Sequence, residues 1–381
     1  MANKPLRIVF WNEAYLPCVG GVEIFTERLG RGLIQRGHEV FVVADRIPEE
    51  SPESECVNGI TVCRVPFRAA LESVNDPVER SNALQRLAQI TKVVTEFKER
   101  ILPDIVHVNF YGPSAYFHLS TARSLPTKTV VTFHNLLTAN AGHDGLVQAL
   151  LKKATAVAAV SPAGARNIEL AMGYPRQRIS IIAPGVPSDM FAPAQGGRPG
   201  LPTVIFIGRL VDDKGADIAV RAMQFLKGKA TLKIVGDGPE RPKLENLARQ
   251  LSLEDSVSFA GQVGPDQRRQ ILADAFVMVV PSRWEEPFGT VAAEGALSSL
   301  PVIATRRGGL PETVKDRETG IIIPPEDPPA LVAALRSLLD DPTLAETMGR
   351  AGRSRALREF SLEETVNRYE TLYFKACTDT H

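Results

Sequence analysis

Along the whole chain, short apolar runs alternate with longer stretches in which apolar residues return every three or four positions. The runs at 6–11, 40–44, 61–67, 105–109, 129–134, 156–161 and 179–183 are rich in β-branched residues and almost continuously apolar. That pattern predicts strands of a parallel sheet covered on both faces. Between them Val22, Phe25, Leu29 and Leu33 fall on one helical face, and 77–100 reads as another helix. The second half repeats the theme, with strands predicted at 204–207, 232–235, 257–259, 276–281, 302–305 and 321–323. Helices are predicted there at 216–226, 240–251, 266–274, 290–299, 328–339 and 343–358. Repeated βαβ units of this kind predict two doubly wound α/β domains.

The stretch from Pro184 to Pro202 holds five prolines and four glycines, a density that breaks regular structure and marks a domain joint. The expected division is a first domain over 1–190 and a second over 200–360. An amphipathic segment at 362–374 forms one more helix beyond the second core. The 381 residues carry 44 basic and 44 acidic side chains, so no net field draws the protein to nucleic acid or an anionic membrane. No apolar run reaches the 18 or so residues of a membrane span, and the N-terminus shows no signal-peptide pattern. Cys18, Cys56, Cys63 and Cys377 lack metal-ligand spacing, so free thiols and a cytoplasmic location are expected.

Ligands of open α/β sheets lie beyond the carboxyl ends of the strands, which directs attention to the βα loops. Gly20-Gly21 opens the first helix. Such a pair lets backbone approach a ligand and offers N–H groups to an anion, or serves only to turn the chain. His107 and His134 close strands, where chemistry is kept in this architecture but where a satisfied structural histidine is the commoner case. In the second half Arg209 and Lys214 flank a loop that enters a helix, so two cations and a helix N-terminus converge on a diphosphate or are simply solvated. Gly236-Asp237-Gly238-Pro239 and Gly261-Gln262-Val263 follow later strands. The segment 281–295 leaves a buried strand, turns at Pro287 and Gly289, and enters a helix. It places Glu286 in the loop and Glu294 about a turn into the helix, as carboxylates for sugar hydroxyls or as ordinary helix-surface pairs. No G-x-G-x-x-G or Walker A sequence is present, which argues against a nicotinamide enzyme and a P-loop NTPase.

Taken in order, Gly20-Gly21-Val22-Glu23, Arg36-Gly37-His38-Glu39-Val40, Thr132-Phe133-His134, Gly208-Arg209 with Lys214-Gly215, Gly236-Asp237-Gly238-Pro239, the Glu286-to-Glu294 motif and Gly308-Gly309-Leu310-Pro311-Glu312 resemble the retaining GT-B glycosyltransferases of family 4. The resemblance spans residues 20 to 312. It implies two Rossmann-like domains facing across a cleft, with the C-terminal helix (361–376) returning to the first, acceptor-binding domain. The second domain would bind a nucleotide-diphosphate sugar, with UDP the first choice over GDP or ADP. Arg209 and Lys214 would hold the diphosphate, Glu286 the donor sugar and Glu294 the ribose. Backbone at Pro287, Phe288, Gly289 and Thr290, with Gly208 and Gly236, would meet sugar and phosphate, and Gln262 and Val263 would lie along the base. Gly20 and Gly21 would approach the phosphate, and His134 would sit beside the transferred sugar. Asn12, Glu13, Glu23, His107, Asn109 and Tyr111 are the acceptor-side candidates, for a small-molecule, glycan or lipid-linked hydroxyl. Transfer in this family retains anomeric configuration without a bound metal or other cofactor, and the chain has no Asp-x-Asp motif. The chain departs from its relatives in having Asn109 where many carry a histidine, and Pro184 where many carry asparagine. Some relatives dock on membranes through a basic first-domain helix. Arg80, Arg86, Lys92, Lys98 and Arg100 load 77–100 with charge, and a solvated helix face is the preferred reading of them. A nicotinamide-dependent oxidoreductase and a silent sugar-nucleotide-binding protein are the alternatives weighed.

Overall fold

The computed structural model describes residues 4–75, 80–109, 112, 114–122, 124–138, 144–193 and 200–378. It divides into two compact units. One is Met1–Val160 with Gly164–Ile182 and Thr365–His381; the other is Ser161–Ala163 with Ala183–Glu364.

The first unit is built on eight strands: β1 (Arg7–Trp11), β2 (Glu39–Asp45), β3 (Ser54–Val57), β4 (Ile60–Val65), β5 (Ile105–Val108), β6 (Lys128–Phe133), β7 (Ala156–Ala159) and β8 (Ile179–Ile181). Their order is β3-β4-β2-β1-β5-β6-β7-β8, and every neighbouring pair is parallel except β3 with β4. Chain order reverses between β1 and β5, so the open ends of those two strands form the switch point of the sheet. Strand β3 is absent from the sequence reading. It alternates exposed and half-buried residues at the sheet edge and offers no apolar run to detect. The run predicted at 61–67 stops at Val65, and Phe67 instead opens a helix, Phe67–Asn75.

The second unit has six parallel strands, β9 (Thr203–Ile207), β10 (Thr231–Val235), β11 (Val257–Gly261), β12 (Val277–Val280), β13 (Val302–Thr305) and β14 (Gly320–Ile323). They lie in the order β11-β10-β9-β12-β13-β14, with the reversal between β9 and β12. Val204, Phe206, Leu232, Ile234, Val277 and Ile303 are at most 2% exposed and form the centre of its core. Fully burying a side chain of this size contributes about 1.5–3 kcal/mol, so the near-continuous apolarity of these strands is what makes a two-sided sheet stable.

The C-terminal helix Leu362–Thr378 buries Val366, Tyr369, Leu372 and Tyr373 in the first unit. Val366 packs against Gly32, where a Cβ would collide with its methyl group. Arg36 and His38 both reach Glu370 on this helix, at 2.7 and 3.0 Å, and His38 Nδ1 accepts the Leu6 N–H. The Arg-Gly-His segment is thus a clasp for the last helix. Lys98 differs from the solvated face assigned to it. It is 1% exposed and points inward from the helix Arg80–Ile101. All four cysteines are free thiols, and no described helix is long and apolar enough to cross a membrane.

Candidate functional site

In the second unit the loops leaving β9, β10 and β12 are tied to one another by backbone. Gly208 N donates to Val235 O at 3.0 Å, Leu210 N to Asp237 O at 2.8 Å, and Arg283 N to Asp213 O at 2.8 Å. This closeness explains two glycines. Gly236 has φ +128° and a Cβ there would overlap the Gly208 carbonyl; Gly215 has φ +68° and a Cβ would overlap that of Pro281. Gly215 ends a short 3-10 turn, Asp212–Lys214, and starts the helix Ala216–Met223.

That turn sends Lys214 across the switch point to Glu286. The ammonium lies 2.5 Å from Glu286 Oε1, which also accepts the Ser282 hydroxyl at 2.9 Å. Ser282 is 1% exposed, and its carbonyl accepts Thr305 Oγ1 at 2.7 Å. A serine directly after a buried strand is the one signal by which the sequence could have marked it. Arg283 clamps the same loop with two parallel bonds to Asp217, at 2.8 and 3.0 Å. Arg209, in the loop that leaves β9, is exposed and makes no ion pair among the described residues.

Past Glu286, Gly309 N donates to Glu286 O at 2.6 Å, so the Gly308-Gly309 turn fixes the backbone that leads to Pro287. Phe288 is buried against Phe360, with ring centroids 5.2 Å apart, and Gly289 (φ +90°) opens the helix Thr290–Leu297. No side chain caps that helix, so its first-turn N–H groups are available to an anion. Glu294 lies inside the first turns and is 7% exposed, held by the guanidinium of Arg268 from the helix Pro265–Ala273. Its carboxylate is therefore already paired, and Arg268 is a neighbour that the sequence did not reveal. Asp237 accepts the Gly238 N–H at 2.8 Å, which holds its carboxyl below the usual range. Gln262 is exposed and Val263 half-buried beyond β11, next to Gly236 through the 2.8 Å Gly236 N to Gly261 O bond.

The first unit presents a different chemistry at its own switch point. Asn12 follows β1 and Asn109 follows β5. Asn109 Nδ2 donates to Asn12 Oδ1 at 3.1 Å and to Thr26 Oγ1 at 3.2 Å, while Asn12 Nδ2 donates to Thr26 at 2.9 Å. With both amides oriented in this way, Asn109 Oδ1 faces His134 Nε2 at 3.1 Å and must accept its proton. His134 Nδ1 is left as the acceptor nitrogen. Burial lowers the His134 pKa to about 3, so the ring is neutral throughout the physiological range. Phe25, 4.5 Å away, packs edge-on against it.

His107 corrects the expectation of an acceptor contact. It is 0% exposed, with Nδ1 2.7 Å from Tyr373 Oη and Nε2 2.7 Å from Thr132 Oγ1. Both nitrogens are occupied and no acceptor can reach them; His107 anchors the C-terminal helix. Asn12 and Asn109 are buried too, at 0 and 1%, and spend their amides on each other, Thr26 and His134, which corrects the expectation that they contact the acceptor. Glu13 is half-buried, accepts the Ser114 N–H at 2.7 Å, and has its pKa raised by burial. Glu23 is half-buried and folds back over Gly20. Gly21 is exposed, and Gly20 caps the helix Gly21–Gln35 without a side-chain bond. Tyr111 lies outside the described residues.

Comparison with known proteins assigns both units. Residues 19–189 match the family model described as Glycosyltransferase Family 4, and residues 191–355 match that of Glycosyl transferases group 1. The chain is 29% identical to the D-inositol 3-phosphate glycosyltransferase of Acidothermus cellulolyticus, over 96% of this chain and 86% of that one. It is 28% identical to the glycogen synthase of Mycobacterium tuberculosis, over 97% of this chain and 95% of the relative. Anabaena HepE, solved in complex with UDP, superposes with a TM-score of 0.77 at 19% identity, over 97% of this chain and 100% of that one. Two parallel-sheet α/β units, a matched model on each and full-length relatives together place the chain in the family 4 glycosyltransferases of GT-B fold, enzymes that use nucleotide-sugar donors.

Proposed function

We infer that this enzyme is a retaining glycosyltransferase that moves a hexose from a UDP-sugar to a hydroxyl of a small molecule, glycan or lipid-linked acceptor. It works in the cytoplasm without a bound metal or other cofactor. The observation that carries the reading is the Lys214–Glu286–Ser282 group at the switch point of the second sheet. As the donor arrives, its diphosphate takes Lys214 and Arg209 and meets the uncapped N-terminus of Thr290–Leu297. Glu286, released from full pairing but still held by Ser282, accepts hydroxyls of the sugar. The two cations then stabilise the charge that grows on the departing diphosphate, a contribution of about 3–4 kcal/mol for each well-placed group. Pro287, Phe288, Gly289 and Thr290 shape the sugar and phosphate subsite, with Gly208 and Gly236 leaving room beneath it. Glu294, with Arg268 beside it, takes the ribose; Gln262 and Val263 line the base.

In the first unit, Gly20 and Gly21 offer backbone to phosphate, and His134 offers a neutral acceptor nitrogen to the transferred sugar. Glu13, Glu23 and Tyr111 serve the acceptor. UDP is supported by HepE, which binds it; GDP and ADP are the competing bases.

Calorimetric titration with UDP, GDP, ADP and NAD⁺ in the presence of EDTA tests the donor site. Binding of one nucleoside diphosphate, lost in Arg209→Ala, is the expected result; binding of NAD⁺ alone would overturn the reading. The anomeric coupling of the purified product, read by NMR, decides retention against inversion.

A further inference from the structure

Thr26 lies on the first helix, Gly21–Gln35, one position after Phe25, and no motif of the sequence marks it. It is 0% exposed, as is Asn12, and Asn109 is 1% exposed, so their polar atoms must be settled within the protein. Four contacts join the three and end on His134. Asn12 Nδ2 meets Thr26 Oγ1 at 2.9 Å; Asn109 Nδ2 meets Thr26 Oγ1 at 3.2 Å and Asn12 Oδ1 at 3.1 Å; Asn109 Oδ1 meets His134 Nε2 at 3.1 Å.

The two amides can reverse only together, because reversing one alone sets nitrogen against nitrogen or oxygen against oxygen across their 3.1 Å contact. As they stand, all four contacts are hydrogen bonds. Reversed together, Asn109 would donate to His134 Nε2 and drive the ring proton to Nδ1. Both amide oxygens would then face the Thr26 hydroxyl, which has one proton to give, and one contact of the four would be oxygen against oxygen. A hydroxyl that accepts twice but donates once is what separates the two arrangements.

We propose that Thr26 is a positioning residue for the transfer reaction: through Asn12 and Asn109 it selects the His134 tautomer, so that Nδ1 meets the transferred sugar as an acceptor and not as a donor. The selection needs no ligand, and Thr26, being fully buried, touches none. Its effect on turnover rests on the placing of His134 beside the sugar in the function proposed above.

The test is ¹H–¹⁵N NMR of the full chain labelled in its histidine rings, at pH 8 without ligand. The chain has six histidines, and the His134 signals are those lost in His134→Gln. Wild type and Thr26→Ser should carry the His134 proton on Nε2 alone. Thr26→Val keeps the shape but orphans the Asn12 amide in the present arrangement, and buried orphan donors are rarer than orphan acceptors, so an Nδ1–H form should appear. Thr26→Val/Asn109→Asp, whose carboxylate only accepts, should return the ring to Nε2–H, a rescue that a merely structural role would not give. Unchanged signals from His107 and His118, each bonded within the core, show that the unit is folded. Should Thr26→Val fail to fold, Asn12→Leu asks the same question: Thr26 then faces one amide, serves either orientation, and both tautomers should appear. In parallel, nucleoside diphosphate release from UDP-glucose, GDP-mannose and ADP-glucose is measured, and kcat/KM should fall in Thr26→Val by the fraction of Nε2–H form lost. A wild-type ring protonated on Nδ1, or folded Thr26→Val and Asn12→Leu that keep Nε2–H alone, would overturn the proposal. A shifted tautomer with unchanged kcat/KM would overturn the role in transfer and, with it, the placing of His134 beside the sugar. Wild type idle on all three donors would count against the donor assignment, with the spectra still deciding the selection.

Discussion

Lys98 gives the first unit a stability that rises with pH. Its ammonium sits 2.6 Å from Thr121 Oγ1, 3.1 Å from His118 Nδ1 and 3.2 Å from the His118 carbonyl, with the Trp11 ring 5.4 Å away and no carboxylate in contact among the described residues. Burial lowers its pKa from 10.5 to about 7, and the charge of Lys153 adds to the effect. His118, which must accept from Lys98, is held neutral by the same burial and donates Nε2–H to Thr129, 3.1 Å away. Because the folded pKa lies below the unfolded one, the unfolded chain binds the extra proton between pH 7 and 10.5. Stability therefore climbs across that window, by up to about 1.4 kcal/mol per pH unit. The three acceptors around the ammonium favour its charged form, so the full rise of roughly 5 kcal/mol is an upper bound. Lys98→Met keeps the stem and deletes the titration. Its absolute stability also changes, because Thr121 and His118 lose a donor, so the diagnostic quantity is the slope. Urea unfolding from pH 6.5 to 9.5 followed by Trp11 fluorescence reads it, with Trp284→Phe removing the other tryptophan. The wild-type midpoint should rise with pH and that of Lys98→Met should rise much less. Parallel slopes, or a wild-type slope that falls, would refute the assignment.

Four further outcomes follow from the same geometry. Lys214→Ala and Glu286→Gln should each lower turnover by about 10²–10³, with melting curves close to wild type, measured by steady-state kinetics beside calorimetry. Gly236→Ala should destabilise the second unit by several kcal/mol, read as a lower urea midpoint, because a left-handed backbone and the Gly208 carbonyl both exclude its methyl group. Asn109→Asp sets a carboxylate 3.1 Å from His134 Nε2, and the His134 pKa should then rise from about 3 by 1–3 units in an NMR titration. Tyr373→Phe should loosen the C-terminal helix by about 1–3 kcal/mol by orphaning His107 Nδ1, seen as faster hydrogen exchange across Leu362–Thr378.

What was legible in the sequence is what depends on period and punctuation. Continuous apolar runs such as Val302–Thr305 locate buried parallel strands within a residue or so, since burial on both faces leaves no other composition workable. Strand β3 carries no such run because it lies at the edge and needs none. The loop glycines were also legible, since Gly215 and Gly236 answer to backbone approach that no other residue allows. Partners were not. Nothing in the chain says that Ser282 meets Glu286, that Arg268 reaches Glu294 over 26 positions, or that Lys98 turns inward, because those contacts are set by helix rotation and loop packing in three dimensions. His107 and His134 show the limit most clearly. Both close strands, yet Tyr373, from the far end of the chain, ties one fully into the core while the other stays half-buried beside Asn109 and Phe25.

The two switch points carry contrasting electrostatics. In the second unit the loops gather ions, with Lys214 on Glu286 and Arg209 exposed in the loop that leaves β9, a setting that suits the proposed diphosphate. In the first, two amides, a threonine hydroxyl and a histidine held neutral down to about pH 3 make a network with no net charge. In the function proposed above, a neutral Nδ1 acceptor would orient a hydroxyl without competing for the donor's phosphates, as an imidazolium would. It follows that His134 contributes no titration to turnover between pH 5 and 8, and that its removal scales the rate across that range without changing the profile. A pH–rate profile of His134→Ala parallel to wild type agrees with this division. Loss of a wild-type inflection near pH 6 to 7 would mean that the histidine is protonated during the cycle, and the neutral assignment would fall.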